Sequence, residues 1–311
     1  MPSSPDLDLT RDALATSTLS HGLRLLGDRW TMAVVLGAFT GVRRFDEWQT
    51  RLAIPRHTLA ARLKALTDLG LLRQRPYQER PRRMAYHLTR DGLKLYPHVL
   101  MMWVWERRWG AQPSTLPQRL VHKPCGCSFM PQMTCARCTQ KVGVSDLDFS
   151  LRANPELLPA PHAVQRAPRL GAEANRATGI GPRVDRWALL IVSAVLLGCH
   201  HFDQLSHVLG IGSSVLARRL AGMVDAGLLL CQADLTDARR KIYRLTPASR
   251  DLFGYIICFS SWASRHHLRQ ANSIRSVHKA CGQAFVPLVV CSHCQGALQA
   301  WDVAAAAAPV N

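Results

Sequence analysis

The run PRHTLAARLKALTDLGLLRQRPYQERPRRMAYHLT, Pro55 to Thr89, decides how the chain is read. Leu59, Leu63 and Leu66 recur at i, i+4 and i+7, which makes one apolar stripe of a helix, and Pro55 suits its first turn. Gly70 closes that helix, because glycine accepts the left-handed backbone past a last turn. LLRQRPY then predicts a strand, QERPRR a basic turn and MAYHLT a returning strand. Upstream, Arg29 to Thr40 is apolar at helical spacing and stops at Gly41, and Phe45 to Leu52 is a short second helix. Downstream, Asp91 to Trp109 predicts one long helix carrying Leu93, Tyr96, Leu100, Trp103 and Trp105. Three helices and then a two-stranded ribbon with a basic tip is the order of a winged helix-turn-helix.

The pattern occurs twice. DRWTMAVVLGAFTGVRRFDEW (Asp28–Trp48) matches DRWALLIVSAVLLGCHHFDQL (Asp185–Leu205) at an offset of 157, and the register continues through Gly70/Gly227, Tyr86/Tyr243 and Trp105/Trp262. A period this long is a whole domain, not a solenoid unit. The expected fold is mostly α with small β-wings (α+β): two winged helix-turn-helix modules in tandem, each with a small zinc-ribbon-like segment. The expected boundaries are module 1 at 17–115, a metal segment at 116–145, a linker at 146–181, module 2 at 182–273, a second metal segment at 274–303 and a tail at 304–311. The first copy opens with the apolar stripe LSHGLRLLG. The second has NRATGIGPRV, whose Gly and Pro break a helix, so the second copy is expected to lack its opening helix.

The 311 residues carry a formal charge of +18, with a pI near 10.2. A protein this basic favours a polyanionic partner. MPSSPDLDLTRD is not a secretory signal, and the longest apolar run, Trp187 to Cys199, is short of the roughly 18–20 residues that cross a bilayer. A cytoplasmic, nucleoid-associated location is expected. In a reducing compartment, ten cysteines suggest metal binding before disulfides.

The residues LGDRW, the Pro-led third helix, LKALTDLGLLRQR and the MAYHLT wing strand together resemble the HxlR-type bacterial transcription regulators. The resemblance covers Leu19 to Gly110. It is weaker from Arg183 to Arg265, where Gly212 replaces the proline and the glycine after the wing threonine is absent. It implies double-stranded DNA as partner and a sequence-specific regulator, expected to repress. Members of the family usually have one module and pair as homodimers, so here it implies a dimer fused into one chain, a monomeric pseudo-dimer or a homodimer of it. A small-molecule effector is a further partner the family reading admits.

A third helix placed in the major groove presents its N-terminal half to base edges. That makes Arg56, His57, Thr58, Arg62 and Lys64 candidates in copy one, and Ser213, Ser214, Arg218 and Arg219 in copy two. The wing tips carry Arg80, Arg82 and Arg83, and Arg239, Arg240 and Lys241, suited to phosphates or a narrow minor groove. Because RHTLAARLK and SSVLARRLA differ, an imperfect palindrome or two dissimilar half-sites about one helical turn (~34 Å) apart are expected rather than a perfect palindrome.

HKPCGCSFMPQMTCARC (His122–Cys138) and HKACGQAFVPLVVCSHC (His278–Cys294) share the pattern His-x2-Cys-x9-Cys-x2-Cys. Zinc takes four thiolate and imidazole ligands, so two structural zinc sites are expected, His122, Cys125, Cys135 and Cys138 in one and His278, Cys281, Cys291 and Cys294 in the other. Cys127 competes with His122 as fourth ligand, whereas His293 reads as a bystander and Cys258 as a core thiol. Four protein ligands leave no position for a reactive water, and no nucleophile–base pair or phosphate-cradling loop stands out, so no enzyme is expected. The alternatives are a zinc-stabilised scaffold for protein or RNA and a thiol-based redox-sensing regulator.

Overall fold

The structure, a computed structural model, describes residues 5–110, 116–152, 185–234, 237, 239–268 and 272–306. The first half of the chain forms α1 (Leu7–Ala15), α2 (Thr18–Leu26), α3 (Arg29–Phe39), α4 (Phe45–Leu52), α5 (Arg56–Asp68), β1 (Leu72–Gln78), β2 (Arg83–Leu88), α6 (Arg90–Leu93) and α7 (Tyr96–Trp109). Four short strands follow: β3 (Leu120–His122), β4 (Cys127–Phe129), β5 (Pro131–Cys135) and β6 (Leu147–Leu151). The second half repeats the order with α8 (Arg186–Leu196), α9 (Phe202–Leu209), α10 (Ser213–Asp225), β7 (Leu229–Ala233), β8 (Lys241–Leu245), α11 (Pro247–Trp262), β9 (Ile274–His278), β10 (Gln283–Ala284), β11 (Pro287–Cys291) and β12 (Val303–Ala305). This is a mixed α/β chain with two helix-turn-helix regions in tandem.

The repeats do not fold as consecutive blocks. Among the described residues, one compact unit is drawn from 5–25, 133–152 and 185–287, and the other from 26–132 and 288–306. The expected boundaries 17–115, 116–145, 182–273 and 274–303 therefore cut across both units. The opening helices explain part of the exchange. α1 packs on α8 and α9 of the second repeat, with Asp8 Oδ1 2.8 Å from His207 Nε2. Ser273 donates to the Ala13 carbonyl at 2.7 Å, and the Thr18 and Ser260 hydroxyls lie 2.8 Å apart. Gly22 lets the Phe259 ring so close that a Cβ there would sit 2.9 Å from it. The second repeat, whose own opening helix is broken in sequence, is thus completed by the N-terminus of the chain.

The linker expected from 146 also begins later. β6 pairs antiparallel with β9, Leu147 opposite His278 and Leu151 opposite Ile274. GIGP and the rest of the expected linker lie outside the described residues. The expected tail is partly strand: β12 pairs with β3, Val303 opposite His122 and Ala305 opposite Leu120. The long helix expected over Asp91 to Trp109 is two helices, α6 and α7. Pro97 occupies the first turn of α7, where its ring and missing N–H prevent a continuous helix. The second repeat has Gly254 at that position, and α11 runs unbroken.

Each module is built on the stripe read from sequence. Leu59, Leu63 and Leu66 of α5 are fully buried, as are Leu216 and Leu220 of α10, with Met223 close behind. Both wings are antiparallel ribbons, Leu72 opposite Leu88 in one and Leu229 opposite Leu245 in the other. Each is tied to the turn before the second helix, Tyr86 N donating to Arg43 O at 2.8 Å and Tyr243 N to His200 O at 2.8 Å. Where the repeats differ, the packing differs in step. In the first, Gly92 lies so close to the Leu71 carbonyl that a Cβ would meet it at 2.2 Å. In the second the equivalent residue is Ser249, whose hydroxyl donates to the Leu228 carbonyl at 2.6 Å. The glycine missing from copy two is therefore replaced by a hydrogen bond.

Gly37 and Trp48 form a second such pair. Trp48 is fully buried, and a Cβ on Gly37 would sit 2.3 Å from its indole nitrogen. The second repeat carries Ala194 and Leu205 instead, a larger residue facing a smaller one. Gly37→Ala is expected to destabilise the protein by about 1–3 kcal/mol through overpacking. Gly37→Ala with Trp48→Leu should cost clearly less than the two single changes summed, measured by denaturant unfolding; strict additivity would contradict the contact.

Candidate nucleic-acid interface and metal-ligand clusters

Each third helix is held by the aspartate that caps the first helix of its repeat. Asp28 caps α3, accepting from Trp30 N at 3.1 Å and Thr31 N at 3.2 Å, and the same carboxylate oxygen lies 3.2 Å from Arg62 Nε on α5. Asp185 caps α8, accepting from Ala188 N at 2.9 Å, and takes Arg219 of α10 at 2.6 Å. A cap carboxylate both satisfies free helix N–H groups and supplies charge for the arginine. Arg62 and Arg219, expected to face DNA, are half-buried and committed to this clamp. The stripe places them beside the exposed face, and only the aspartates decide which way their guanidiniums turn. Lys64 pairs with Asp68 at 2.7 Å across one exposed helical turn.

The other candidates are available. Arg56 and His57 are exposed at the start of α5, with the Arg56 guanidinium 5.3 Å above the Phe45 ring, and Thr58 is half-buried there. Ser213, Ser214 and Arg218 are exposed at the start of α10. Arg80, Arg82 and Arg83 are exposed at the first wing and carry no ion pair with any described residue. At the second wing Arg239, Arg240 and Lys241 are all exposed, Arg239 lying 3.7 Å from Asp237 and Arg240 3.0 Å from Asp203. Arg73 and Arg75 on β1 and Arg244 on β8 are exposed too and were not among the expected contacts. A two-stranded ribbon need not bury both faces, so charges inside a strand can be functional; the Arg-Gln-Arg run of β1 was the available signal. Burial first, and then Arg43, Arg75 and Arg73, hold the His87 imidazole on β2 below its usual pKa.

The cysteines gather differently from their order in sequence. His122, Cys125, Cys291 and Cys294 form one cluster, and Cys135, Cys138, His278 and Cys281 the other, with ligand atoms in each within 4.8 Å of one another. Each cluster lies inside one compact unit and takes its His-x2-Cys from one repeat and its Cys-x2-Cys from the other. The expected grouping within each repeat is therefore corrected. Local turns present the ligands. His122 O accepts from Cys125 N and Gly126 N, and Gly126 has φ 70°, a left-handed position suited to glycine. Gly282 repeats this at φ 66°, donating to His278 O. After each Cys-x2-Cys the chain turns back, Thr139 N donating to Cys135 O and Gln295 N to Cys291 O.

The donor sets fit a tetrahedral metal ion. His122 Nδ1 is 3.3 Å from Cys125 Sγ and from Cys294 Sγ, while Cys125 Sγ is 4.0 Å from Cys291 Sγ. His278 Nδ1 is 3.3 Å from Cys138 Sγ and from Cys281 Sγ. Ligand atoms around tetrahedral zinc stand about 3.5–3.8 Å apart given its usual bond lengths. Cys127 lies outside the cluster, its thiol directed at the Cys125 carbonyl 3.4 Å away, so His122 is the fourth donor. His293 is a bystander. Cys258 is buried, its thiol pushed up to about 12 by burial, and Cys199 likewise to about 11, so neither is a reactive thiolate near neutral pH.

The sequence profile of the HxlR-like helix-turn-helix family matches residues 25–114 and again 184–271, more than half of the chain. The chain belongs to that family. An uncharacterized HTH-type transcriptional regulator of Mycobacterium tuberculosis is 36% identical over 138 residues, 42% of this chain and 87% of the relative. One from Mycobacterium bovis is 35% identical over the same length and shares. One from Synechocystis is 28% identical over 113 residues, 36% of this chain and 76% of the relative. These relatives are thus covered for most of their length by less than half of this chain. The solved structure of PA1607 shares 30% identity over 40% of this chain and 87% of its own, with a TM-score of 0.35. Among the described residues, no helix is long and apolar enough to cross a membrane.

The exchanged clusters predict the metal content of cysteine variants. Cys125→Ser with Cys291→Ser disables one cluster and should leave about half the bound metal by elemental analysis. Cys125→Ser with Cys135→Ser disables both and should leave almost none. The reverse result would restore the grouping by sequence order. Separately, Arg62→Ala should lower stability by about 1 kcal/mol, the scale of a partly exposed ion pair, without changing base preference on duplex DNA.

Proposed function

We propose that this HxlR-like chain is a sequence-specific DNA-binding transcriptional regulator, a fused pseudo-dimer that represses by occupying its operator. One observation carries the reading: in both repeats the N-terminal half of the third helix (Arg56 in one, Arg218 in the other) and the wing tip keep exposed cations while a neighbouring arginine pairs with the cap aspartate. The relatives named as transcriptional regulators support it. Arg56 and His57, and Ser213, Ser214 and Arg218, would meet base edges in the major groove, arginine taking guanine bidentately. Arg80, Arg82 and Arg83, with Lys241 and its neighbours, would lie on phosphates or in a narrowed minor groove.

The two clusters would hold structural zinc. Three thiolates and one imidazole are a common closed zinc set, and with all four positions filled by protein the ion supplies cross-linking stability rather than an activated water. Each ion would tie a segment of one repeat to a segment of the other, which supports the pseudo-dimer, since neither half of the chain alone completes a site.

Variants separate positioning from reading. Charge reversal at Arg82 and Arg83 should weaken binding to all duplexes alike, whereas Arg56→Ala or Arg218→Ala should change base preference, each lost bidentate contact costing about 1–3 kcal/mol at one position. Binding competition across a set of single-base variants of the site checks both. A protein with no base preference, and none lost in either variant, would contradict the proposal.

A further inference from the structure

The two modules differ in how much positive charge they leave free. From Pro55 to Thr89 the reading helix and wing carry eight Lys/Arg and two Asp/Glu, a net of +6. The equivalent Gly212 to Thr246 carries six and three, a net of +3. The losses of unpaired charge fall on the exposed face: Arg56 becomes Ser213, Arg73 becomes Leu230 and Arg75 becomes Gln232, while Lys64, which becomes Ala221, is already paired with Asp68.

The structure widens the gap. The first wing's arginines have no acidic partner among the described residues. In the second wing, one Arg240 nitrogen sits 3.0 Å from both carboxylate oxygens of Asp203, and Arg239 lies against Asp237. Burial raises the Asp203 carboxyl and Arg240 more than offsets it, so the carboxyl stands below its usual pKa. His201 Nε2 also lies 3.3 Å from Asp234, a further carboxylate beside this wing. Both pairs are exposed and weak on their own, but the carboxylate beside each arginine subtracts from the positive field that a phosphate meets there.

We infer that the two modules divide the work: the first supplies most of the electrostatic grip on the phosphate backbone, and the second, with Asp203 holding Arg240 back, supplies little of it. This rests on the DNA-binding reading and adds an asymmetry that reading does not require. The free exposed Arg218 of α10 leaves the second module a base-reading contact without a strong phosphate anchor.

The salt dependence of binding to a fluorescent duplex of mixed sequence tests it, with circular dichroism confirming that each variant is folded. Each lost phosphate contact lowers the slope of log affinity against log salt by about 0.9. Arg82→Ala with Arg83→Ala should lower it by about 1.8, and Arg239→Ala with Arg240→Ala by less than 0.9. Asp203→Asn, which frees Arg240, should steepen it, by up to about 0.9. Equal losses from the two arginine pairs, or an unchanged slope in Asp203→Asn, would overturn the inference while leaving DNA binding intact. A flat salt response in the wild type would instead overturn the reading beneath it.

Discussion

A closed four-donor site cannot be assembled from half its ligands, and here each half of the chain holds only half of each set. His122 and Cys125 meet Cys291 and Cys294, and His278 and Cys281 meet Cys135 and Cys138. The strand pairing and the division into units agree with that exchange. The chain must pass from one unit to the other and back, β12 is drawn onto β3, and β6 onto β9. The N-terminal helices obey the same logic by apolar packing instead of ligation: α1 and most of α2 complete the module whose own opening segment is broken by Gly and Pro. A gene duplication that fused two such modules would keep these cross-contacts, since each copy needs what the other carries.

Within a module the controlling contact is smaller. One aspartate caps the first helix and holds one arginine of the third, in both repeats at the same offset. The buried stripe sets the rotation of the third helix, and so which of its side chains stay exposed, while the clamp turns one arginine toward the cap. The proposed base contacts at Arg56 and Arg218 depend on that rotation. The repeats have otherwise drifted in compensated pairs: Gly92 against Ser249, and Gly37 with Trp48 against Ala194 with Leu205. Such pairing keeps two modules sound while their exposed surfaces diverge.

Local order was legible because it is written in spacing. The stripe Leu59, Leu63, Leu66, the glycine stops and the returning wing strand sufficed for the helix-turn-helix elements, and the duplicated His/Cys pattern named all eight cluster residues. Partner choice was not legible. Identical repeats allow a His-x2-Cys to close with the Cys-x2-Cys of its own copy or of the other, and nothing in the spacing prefers one. The same ambiguity hid the exchange of α1 and α2. The ion pairs of Arg62 and Arg219 were hidden for a different reason: helical periodicity puts these residues at the edge of the exposed face, and their partners lie 34 residues upstream. Pro97, which splits α6 from α7, was readable and would have divided the long helix.

The central claim, that one chain presents two unlike DNA-reading modules, is tested most directly by selecting bound duplexes from a random-sequence pool with the metal-loaded protein. The account predicts one enriched site made of two dissimilar halves. A perfect palindrome, or no enriched sequence at all, would contradict it.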